Sequence, residues 1–399
     1  MPESAPSLPL ADTILVVSAV IHHRHEGRLY GYTPYVREVD AWSHLFTKVR
    51  IAGPLVEGSP PSDCAPFRSD NVELVPLPAT GGGTWAAKAM QIIRIPELVI
   101  RLAAQMRRAD AIQVRCPSNL GLLAVPMAPL FSRRIHCKYA GMWGGFNGEP
   151  WSSHVQRWVL RSRWWKGPVS VYGQCPDDPP KIHATFSTAL RKSQIDRTPR
   201  RTARSQAIRL VFVGRLTAAK NVDVVLQAVA NVNGHGLECT LAIIGDGPER
   251  RVLERLASEL GVNNVVTFYG GLPMTEVVKA YAQSDVLTLV SESEGWPKAI
   301  VEAMAFGVVP VGNNRGMVPT IVADGRGLAI PPRDVVALER AIIDLTDHPC
   351  QRAEMALRSQ EWAQQFTLER FAADHAAILD ISWPWGNNTR QGRRQRKDA

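Results

Sequence analysis

The chain has 399 residues, 45% apolar and 21% charged, which is enough for two packed domains and excludes wholesale disorder. Its net charge of +9 invites an anionic partner, yet residues 191–204 hold six basic groups and one acid, and residues 386–399 hold five and one, so these two segments carry the whole excess. The remainder is neutral, which argues against a body built to bind nucleic acid.

Six scattered cysteines without a CxxC pair suit a reduced compartment and speak against a disulfide framework or a cysteine zinc site. No secretory leader is read at the start. The longest apolar runs, 14–21 and 120–131, fall short of the ~20 residues that cross a bilayer. The expectation is a cytoplasmic protein, at most peripheral on the inner face of the cell membrane.

Residues 13–21 (TILVVSAVI) form a largely apolar run, the mark of a strand buried on both faces. A helix is expected over 34–46, with Tyr35, Val36, Val39, Trp42 and Phe46 on one side. Short strands follow at 48–52 and 72–76, then a helix at 84–106 broken near Pro96. A strand at 111–115, a helix from Asn119, and strands at 135–139 and 169–172 come next. The charged stretch 191–204 reads as a linker. Beyond it lie strand 208–213, helix 222–232, strand 239–244, helix 248–260, strand 265–269, helix 274–283 and strand 286–290. Helix 297–306, strands 308–312 and 327–330, helix 334–345 and an amphipathic helix at 368–379 complete the series. Such alternation implies βαβ units and parallel sheets. The fold class is α/β: two Rossmann-like domains, 12–190 and 205–367, joined by the linker, then a helix over 368–385 and a basic tail over 386–399. Ligands of such sheets bind at the carboxyl ends of the strands.

The strongest chemical signal is residues 293–304 (SEGWPKAIVEAM), after a strand. Glu294 and Glu302 stand eight residues apart, Glu294 at the turn and Glu302 about two helical turns on, roughly 12 Å along the axis. Between them Gly295, Trp296, Pro297, Lys298 and Ala299 open a helix, whose free N–H groups attract anions. One carboxylate can grip sugar hydroxyls and the other ribose hydroxyls, with a diphosphate between. Gly214 and Arg215 end another strand and Lys220 follows, two cations able to neutralise a diphosphate leaving group. Gly245 and Gly247 mark a further strand–turn–helix, where a missing Cβ permits close backbone approach.

These segments resemble the family 4 glycosyltransferases, retaining enzymes of GT-B fold that use nucleotide sugars. The resemblance is carried by VGRL at 213–216 with Lys220, IIGDGPE at 243–249, VTFYGGL at 266–272, and the two glutamates with EAMAFGVVPV up to 311. It implies that Arg215 and Lys220 bind the donor diphosphate, that Glu294 contacts the donor sugar, and that Glu302 holds the ribose. It further implies that the backbone near Leu272 meets the base, that Gly31 lies in a glycine-bearing loop at the donor phosphate, and that the last helix crosses back to the first domain. Many members carry a histidine close to the donor sugar; here Gly141 and Met142 stand where it is expected, and His136 comes too early.

The function that follows is transfer of a sugar from a UDP- or GDP-sugar to a saccharide or lipid-linked acceptor, in cell-envelope polysaccharide or glycolipid synthesis. No carboxylate nucleophile stands out in the first half, so same-face attack with retention is expected. Arg215, Lys220 and the helix end replace a metal, for no DxD-type segment occupies a suitable strand–loop position; His22, His23 and His25 lack the further ligands of a metal site. The alternatives are a catalytically silent GT-B scaffold that binds sugar nucleotides and a GT-B sugar-nucleotide epimerase. Residues 143–166 interleave Trp143, Trp151, Trp158, Trp164 and Trp165 with Arg157, Arg161, Arg163 and Lys166. That mixture suits an anionic membrane surface or a lipid-linked phosphate, or else a helix with tryptophans in the core.

Overall fold

The structure is a computed structural model and describes residues 10–61, 63–78, 85–146, 148–195, 207–292 and 294–383. Most of the basic linker and the whole basic tail lie outside the described residues.

The first half begins with strand β1 (Ala11–Val17), followed by β2 (His22–His25), β3 (Arg28–Tyr32), helix α1 (Thr33–Trp42), and strands β4 (Phe46–Glu57), β5 (Cys64–Pro66) and β6 (Val72–Leu77). Then come α2 (Trp85–Met106), β7 (Ala111–Cys116), α3 (Asn119–Phe131), β8 (Arg134–Met142), α4 (Trp151–Arg161), β9 (Val169–Tyr172), β10 (Ile182–Ala184) and the short α5 (Lys192–Ile195). These strands form one ten-stranded sheet. Its parallel part runs β6-β4-β1-β7-β8-β9-β10, and β2, β3 and β5 extend it beyond β4. The apolar run of β1 is covered on both faces: Ile14 and Val16 enter one core and Leu15 and Val17 the other.

The second half holds β11 (Ile208–Val213), α6 (Val222–Gly234), β12 (Cys239–Ile244), α7 (Arg250–Glu259), β13 (Val266–Gly270), α8 (Met274–Gln283) and β14 (Val286–Leu289). It continues with α9 (Lys298–Met304), β15 (Val309–Asn313), α10 (Val318–Val322), β16 (Leu328–Ile330), α11 (Val335–Asp347), α12 (Pro349–Ala363) and α13 (Leu368–Ser382). The six strands are all parallel, in the order β13-β12-β11-β14-β15-β16. The order reverses between β11 and β14, and that reversal opens the crevice in which doubly wound sheets bind ligands.

The structure departs from the expectations at several points. Helix α2 runs through Pro96 as one element; beyond the proline, Leu98, Leu102 and Met106 recur every fourth residue and are buried, so packing outweighs the lost hydrogen bond. Helix α12 and the β2–β3–β5 extension appear where no element was expected. Finally α9 begins only at Lys298, so Glu302 sits one turn into the helix and the 12 Å helical-rise argument does not apply across residues 294–297.

Helix α13 crosses back onto the first domain. Thr367 caps it by accepting the Arg370 N–H, and Phe371, Leu379 and Trp383 join the core of Trp42 and Phe46. Trp383 is 1% exposed and its indole N–H donates to the Ile135 carbonyl at 3.2 Å. Replacing it by alanine opens a cavity in that core and removes one bond to β8. We expect Trp383→Ala to destabilise the protein by about 3–5 kcal/mol in urea unfolding, and a loss below ~1 kcal/mol would show that the crossing helix is not anchored there.

Candidate active site

The loops after β11 and β14 flank the point where strand order reverses, and hydrogen bonds stitch them together. Lys220 ends a single 3-10 turn, and Asn221 follows in the left-handed region at φ 49°. The Asn221 amide donates to the Val290 carbonyl at 2.9 Å and accepts from Arg333 at 2.6 Å. The Glu292 N–H donates to the Ala219 carbonyl at 2.8 Å. Asn313 donates to the carbonyls of Val290 and Ser291 at 2.7 and 2.8 Å. This bracing brings the Lys220 ammonium to 2.5 Å from Glu294 Oε1, in a site where the two side chains keep 25% and 15% of their surface. Lys220 and Glu294, predicted from distant parts of the sequence, therefore meet.

Gly245 and Gly247 do make close backbone approaches, but to the neighbouring loop. A Cβ on Gly245 would overlap the Gly214 carbonyl oxygen, and one on Gly247 the Leu216 carbonyl. Gly245 also has φ 139°, a conformation open to glycine. Hydrogen bonds from Gly214 to Ile244, Leu216 to Asp246 and Gly245 to Gly270 lock the three loops at 2.8–3.0 Å. Gly245→Ala should cost about 3 kcal/mol or more by forcing these loops apart. A variant with wild-type thermal unfolding would contradict this packing role.

The segment 294–299 faces the first domain at close range. A Cβ on Gly295 would stand 2.9 Å from the Gly141 carbonyl carbon and 3.0 Å from the Ala140 oxygen. Two backbones meet here, one at each domain's carboxyl edge. The Trp296 ring packs against Tyr172, Phe186 and Phe366 at centroid distances of 5.4–6.3 Å, an aromatic seam joining the two domains. Pro297 caps α9 and is buried. The Lys298 N–H bonds the Trp296 carbonyl at 2.9 Å, so it is not free for an anion as expected, whereas the Lys298 ammonium lies 5.9 Å from the centre of the Tyr32 ring.

Glu302 is 6% exposed, and its Oε1 accepts the Ala189 N–H at 2.9 Å, while Arg37 donates to the Ala189 carbonyl at 2.8 Å. Burial raises its carboxyl above the ordinary range, partly offset by Lys298, the Ala189 N–H and Arg37. Glu302 thus holds the junction between the domains, which its spacing from Glu294 did not reveal. Leu272 lies in the loop after β13, packed against the second core.

Gly31 lies within β3, paired with Ala65 of β5 and packed on Val36, rather than in a loop after the first strand. Its neighbour Tyr32 reaches toward the site and was missed from sequence. Tyr32 keeps 43% of its surface, yet its hydroxyl is pushed up to about 12, first by the protein around it and then by Asp63 and Glu302. It stays protonated and can donate a hydrogen bond.

His136 is inside β8, bonded to Gln113 and Ser170 at 2.9 Å and held well below its ordinary pKa by burial. It is a structural histidine. His22 is likewise buried, bonded to the Pro54 carbonyl, stacked near Phe67 and lowered to about 4 by burial. Among the described residues no group of three His, Cys, Asp or Glu is placed to hold a metal ion.

Behind the cleft lies a buried ionic cluster. Glu38 on α1 accepts from Arg115 of β7 at 3.1 Å and from the Ser187 hydroxyl. Lys138 of β8 donates to the Phe186 carbonyl at 3.2 Å and lies 4.7 Å from the Phe371 ring centre. Burial alone would raise the Glu38 carboxyl, but the charges of Lys138 and Arg115 win and bring it down to about 2. Burial lowers Lys138 to about 8.

Comparison with known proteins places these features in a family context. Residues 195–362 match the family model "Glycosyl transferases group 1". Over 162 residues the chain is 32% identical to the GDP-mannose-dependent alpha-(1-6)-phosphatidylinositol monomannoside mannosyltransferase of Mycolicibacterium smegmatis, covering 39% of this chain and 42% of that protein. The matched part spans about half the length of such curated relatives. In fold, the chain superposes on sucrose-phosphate synthase from Thermosynechococcus elongatus with TM-score 0.71 at 17% identity, over 93% of this chain and 98% of the other. It superposes on Anabaena HepE in complex with UDP and glucose with TM-score 0.68 at 16% identity, over 93% and 100%. These likenesses show the GT-B arrangement of two sheets.

Proposed function

With residues 195–362 those of a bacterial group 1 glycosyltransferase, we propose that the protein transfers a sugar from a nucleotide-diphosphate sugar to a saccharide or lipid-linked acceptor, with retention of anomeric configuration. The observation that carries this reading is the Lys220–Glu294 pair at the strand-order reversal of the second sheet. Lys220 and Arg215 draw charge from the departing diphosphate, the task a metal performs in other sites, and this underlies the proposed metal independence. Glu294 accepts hydrogen bonds from donor-sugar hydroxyls. Glu302 holds the ribose, and the backbone around Leu272 meets a uracil or guanine base. Gly214, Gly295 and Ala299 line the diphosphate.

With glycine at position 141, no side chain there can act as a base. The acceptor proton passes to the departing phosphate oxygen as the sugar–phosphate bond breaks and the acceptor oxygen bonds the anomeric carbon on the same face. The supporting parallels are a GDP-mannose-dependent relative and a fold neighbour solved with UDP and glucose. The setting we propose is the cytoplasmic side of the cell envelope, in polysaccharide or glycolipid synthesis; no helix among the described residues is long and apolar enough to cross a membrane.

The test is an assay of transfer and donor hydrolysis over a panel of UDP-, GDP- and ADP-sugars, without added metal and with chelator, and with NMR of the product. Turnover giving an anomer of the donor's configuration supports the reading. Inversion, or strict dependence on a divalent ion, contradicts the mechanism.

A further inference from the structure

The connection from β1 does not run straight into α1. It first folds into the β2–β3 hairpin, which pairs with β4 on one side and β5 on the other. This detour ends on Tyr32, which pairs across the ladder with Cys64, next to Asp63 in the sequence. Thr33 fixes Asp63 from the start of α1: its N–H and its hydroxyl both donate to the Asp63 carbonyl at 2.9 Å. Asp63 is half-buried. Among the described residues its carboxylate takes no ion pair and accepts only the Cys64 thiol, at 3.7 Å.

Two features turn this junction away from phosphate. A helix start that binds anions needs free N–H groups, but the Thr33 N–H is taken by Asp63, and Pro34, the next residue, has none. The Asp63 carboxylate beside that start repels a second negative charge. The same groups suit a sugar. A carboxylate accepts from hydroxyls at two oxygens, a phenol donates and accepts, and an aromatic ring offers a flat apolar face. Tyr32 offers such a face: it is exposed, with the Lys298 ammonium 5.9 Å from its ring centre. That surface opens on the cleft between the domains. Besides burial and Asp63, the charges of Glu302, Arg215 and Glu294 in the second domain bear on its hydroxyl. After burial and Asp63, Arg215 bears on the Cys64 thiol as well.

We infer that Tyr32 and Asp63 form an acceptor subsite that takes an uncharged sugar ring and rejects a phosphate. The inference rests on the proposed transfer and names the chemistry of its acceptor. The acceptor ring lies on Tyr32, and its hydroxyls meet the Asp63 carboxylate and the Tyr32 hydroxyl. Another hydroxyl then faces the donor sugar beside Glu294. The donor diphosphate is left to Arg215 and Lys220 on the opposite wall. The sugar is a free saccharide or the terminal residue of a lipid-linked one; both present the same hydroxyls.

The experiment measures transfer by the full chain from UDP- and GDP-sugars to methyl and octyl glycosides of glucose, galactose and mannose. Glucose 1-phosphate and mannose 1-phosphate serve as charged counterparts, and nucleotide-sugar affinity and hydrolysis are measured alongside. The wild type should use at least one neutral glycoside with a saturable acceptor KM and use the phosphates poorly. Equal use of methyl and octyl forms assigns a free saccharide, and preference for the octyl form a lipid-linked one. Asp63→Ala should raise that KM about 10–100-fold and Tyr32→Phe about three- to tenfold. Both should keep the wild-type melting temperature and nucleotide-sugar affinity. Three results would overturn the inference and leave the transfer reading in place. One is hydrolysis of the nucleotide sugar without transfer to any neutral glycoside, or with the phosphates used as well as the glycosides. Another is a wild-type acceptor KM in both variants. The third is a loss that falls on nucleotide-sugar affinity instead, which returns the junction to the donor phosphate. A wild type that binds no nucleotide sugar overturns both readings together.

Discussion

Lys220→Ala and Glu294→Ala should each lower transfer by about 10²–10³-fold while leaving the fold intact. In the free protein the two groups neutralise one another across 2.5 Å, partly exposed to the cleft. Both side chains still reach the water of the cleft, so removing either costs less than the about 3–5 kcal/mol of breaking a fully buried pair, and neither variant should unfold the chain. The importance of the pair lies in what replaces it. A donor diphosphate competes for Lys220 and frees the Glu294 carboxylate for sugar hydroxyls. Without Lys220, Glu294 faces the diphosphate as an unpaired like charge, so donor affinity falls together with turnover. Without Glu294, Lys220 still binds phosphate and the loss concentrates in turnover. Donor titrations and single-turnover rates on both variants check this division. Wild-type turnover in either variant would remove the pair from the mechanism.

Glu38→Gln should destabilise the protein by about 3–5 kcal/mol, the largest stability effect of any charge change considered, because it leaves Arg115 and Lys138 buried without their counter-charge. The pH dependence has a fixed sign. The folded carboxyl is down at about 2 from 4.5, so its stabilising contribution is complete above pH 4.5 and is lost as pH falls through about 2. The wild type should therefore lose stability across that acid window, and Glu38→Gln should show a flatter profile there. Urea unfolding at stepped pH reads both. A variant within ~1 kcal/mol of wild type at pH 7 would show that the cluster holds no buried charge of consequence.

The second domain was highly legible. Strands β11 and β12 and helix α8 lie where hydrophobic periodicity and turn glycines put them. Their residues are apolar because the sheet is covered on both faces, and that signal is local. The missed elements hide their signal for physical reasons. Helix α12 buries Arg352, Ser359 and Gln360 beside its alanines, so its inward stripe does not read as apolar. Arg352 donates to the Leu345 carbonyl and Ser359 to the Arg326 carbonyl, contacts that need the tertiary fold. Strands β2 and β3 read as a polar histidine–arginine stretch, although Glu26 and Gly27, at φ 48° and 74°, form the two-residue turn of a tight hairpin. The same polar stretch leaves Tyr32 without a local signal, because Gly31 beside it reads as a loop glycine although both lie in β3.

The site was legible in its residues and only partly in its geometry. Glu294 and Lys220 stand out in separate stretches of the sequence as contacts to one donor, and the strand order β11-β14 makes them neighbours. The bond from the Ala189 backbone to Glu302 and the aromatic seam around Trp296 join segments over a hundred residues apart. No local pattern encodes such contacts. Helix α4 teaches the converse: its mixture of tryptophan and arginine was plain in the sequence, but which side of the helix faces water is set by Glu149, Ser118 and Tyr139.

The central claim is that the crevice between β11 and β14 receives the diphosphate of a nucleotide sugar. Isothermal titration of the wild-type chain with UDP-, GDP- and ADP-sugars tests it most directly, with Lys220→Ala as the paired control. The account predicts saturable binding of at least one UDP- or GDP-sugar below millimolar concentration, weakened in the variant. Absence of binding by every nucleotide sugar at millimolar concentration, or binding unaffected by loss of Lys220, would contradict it.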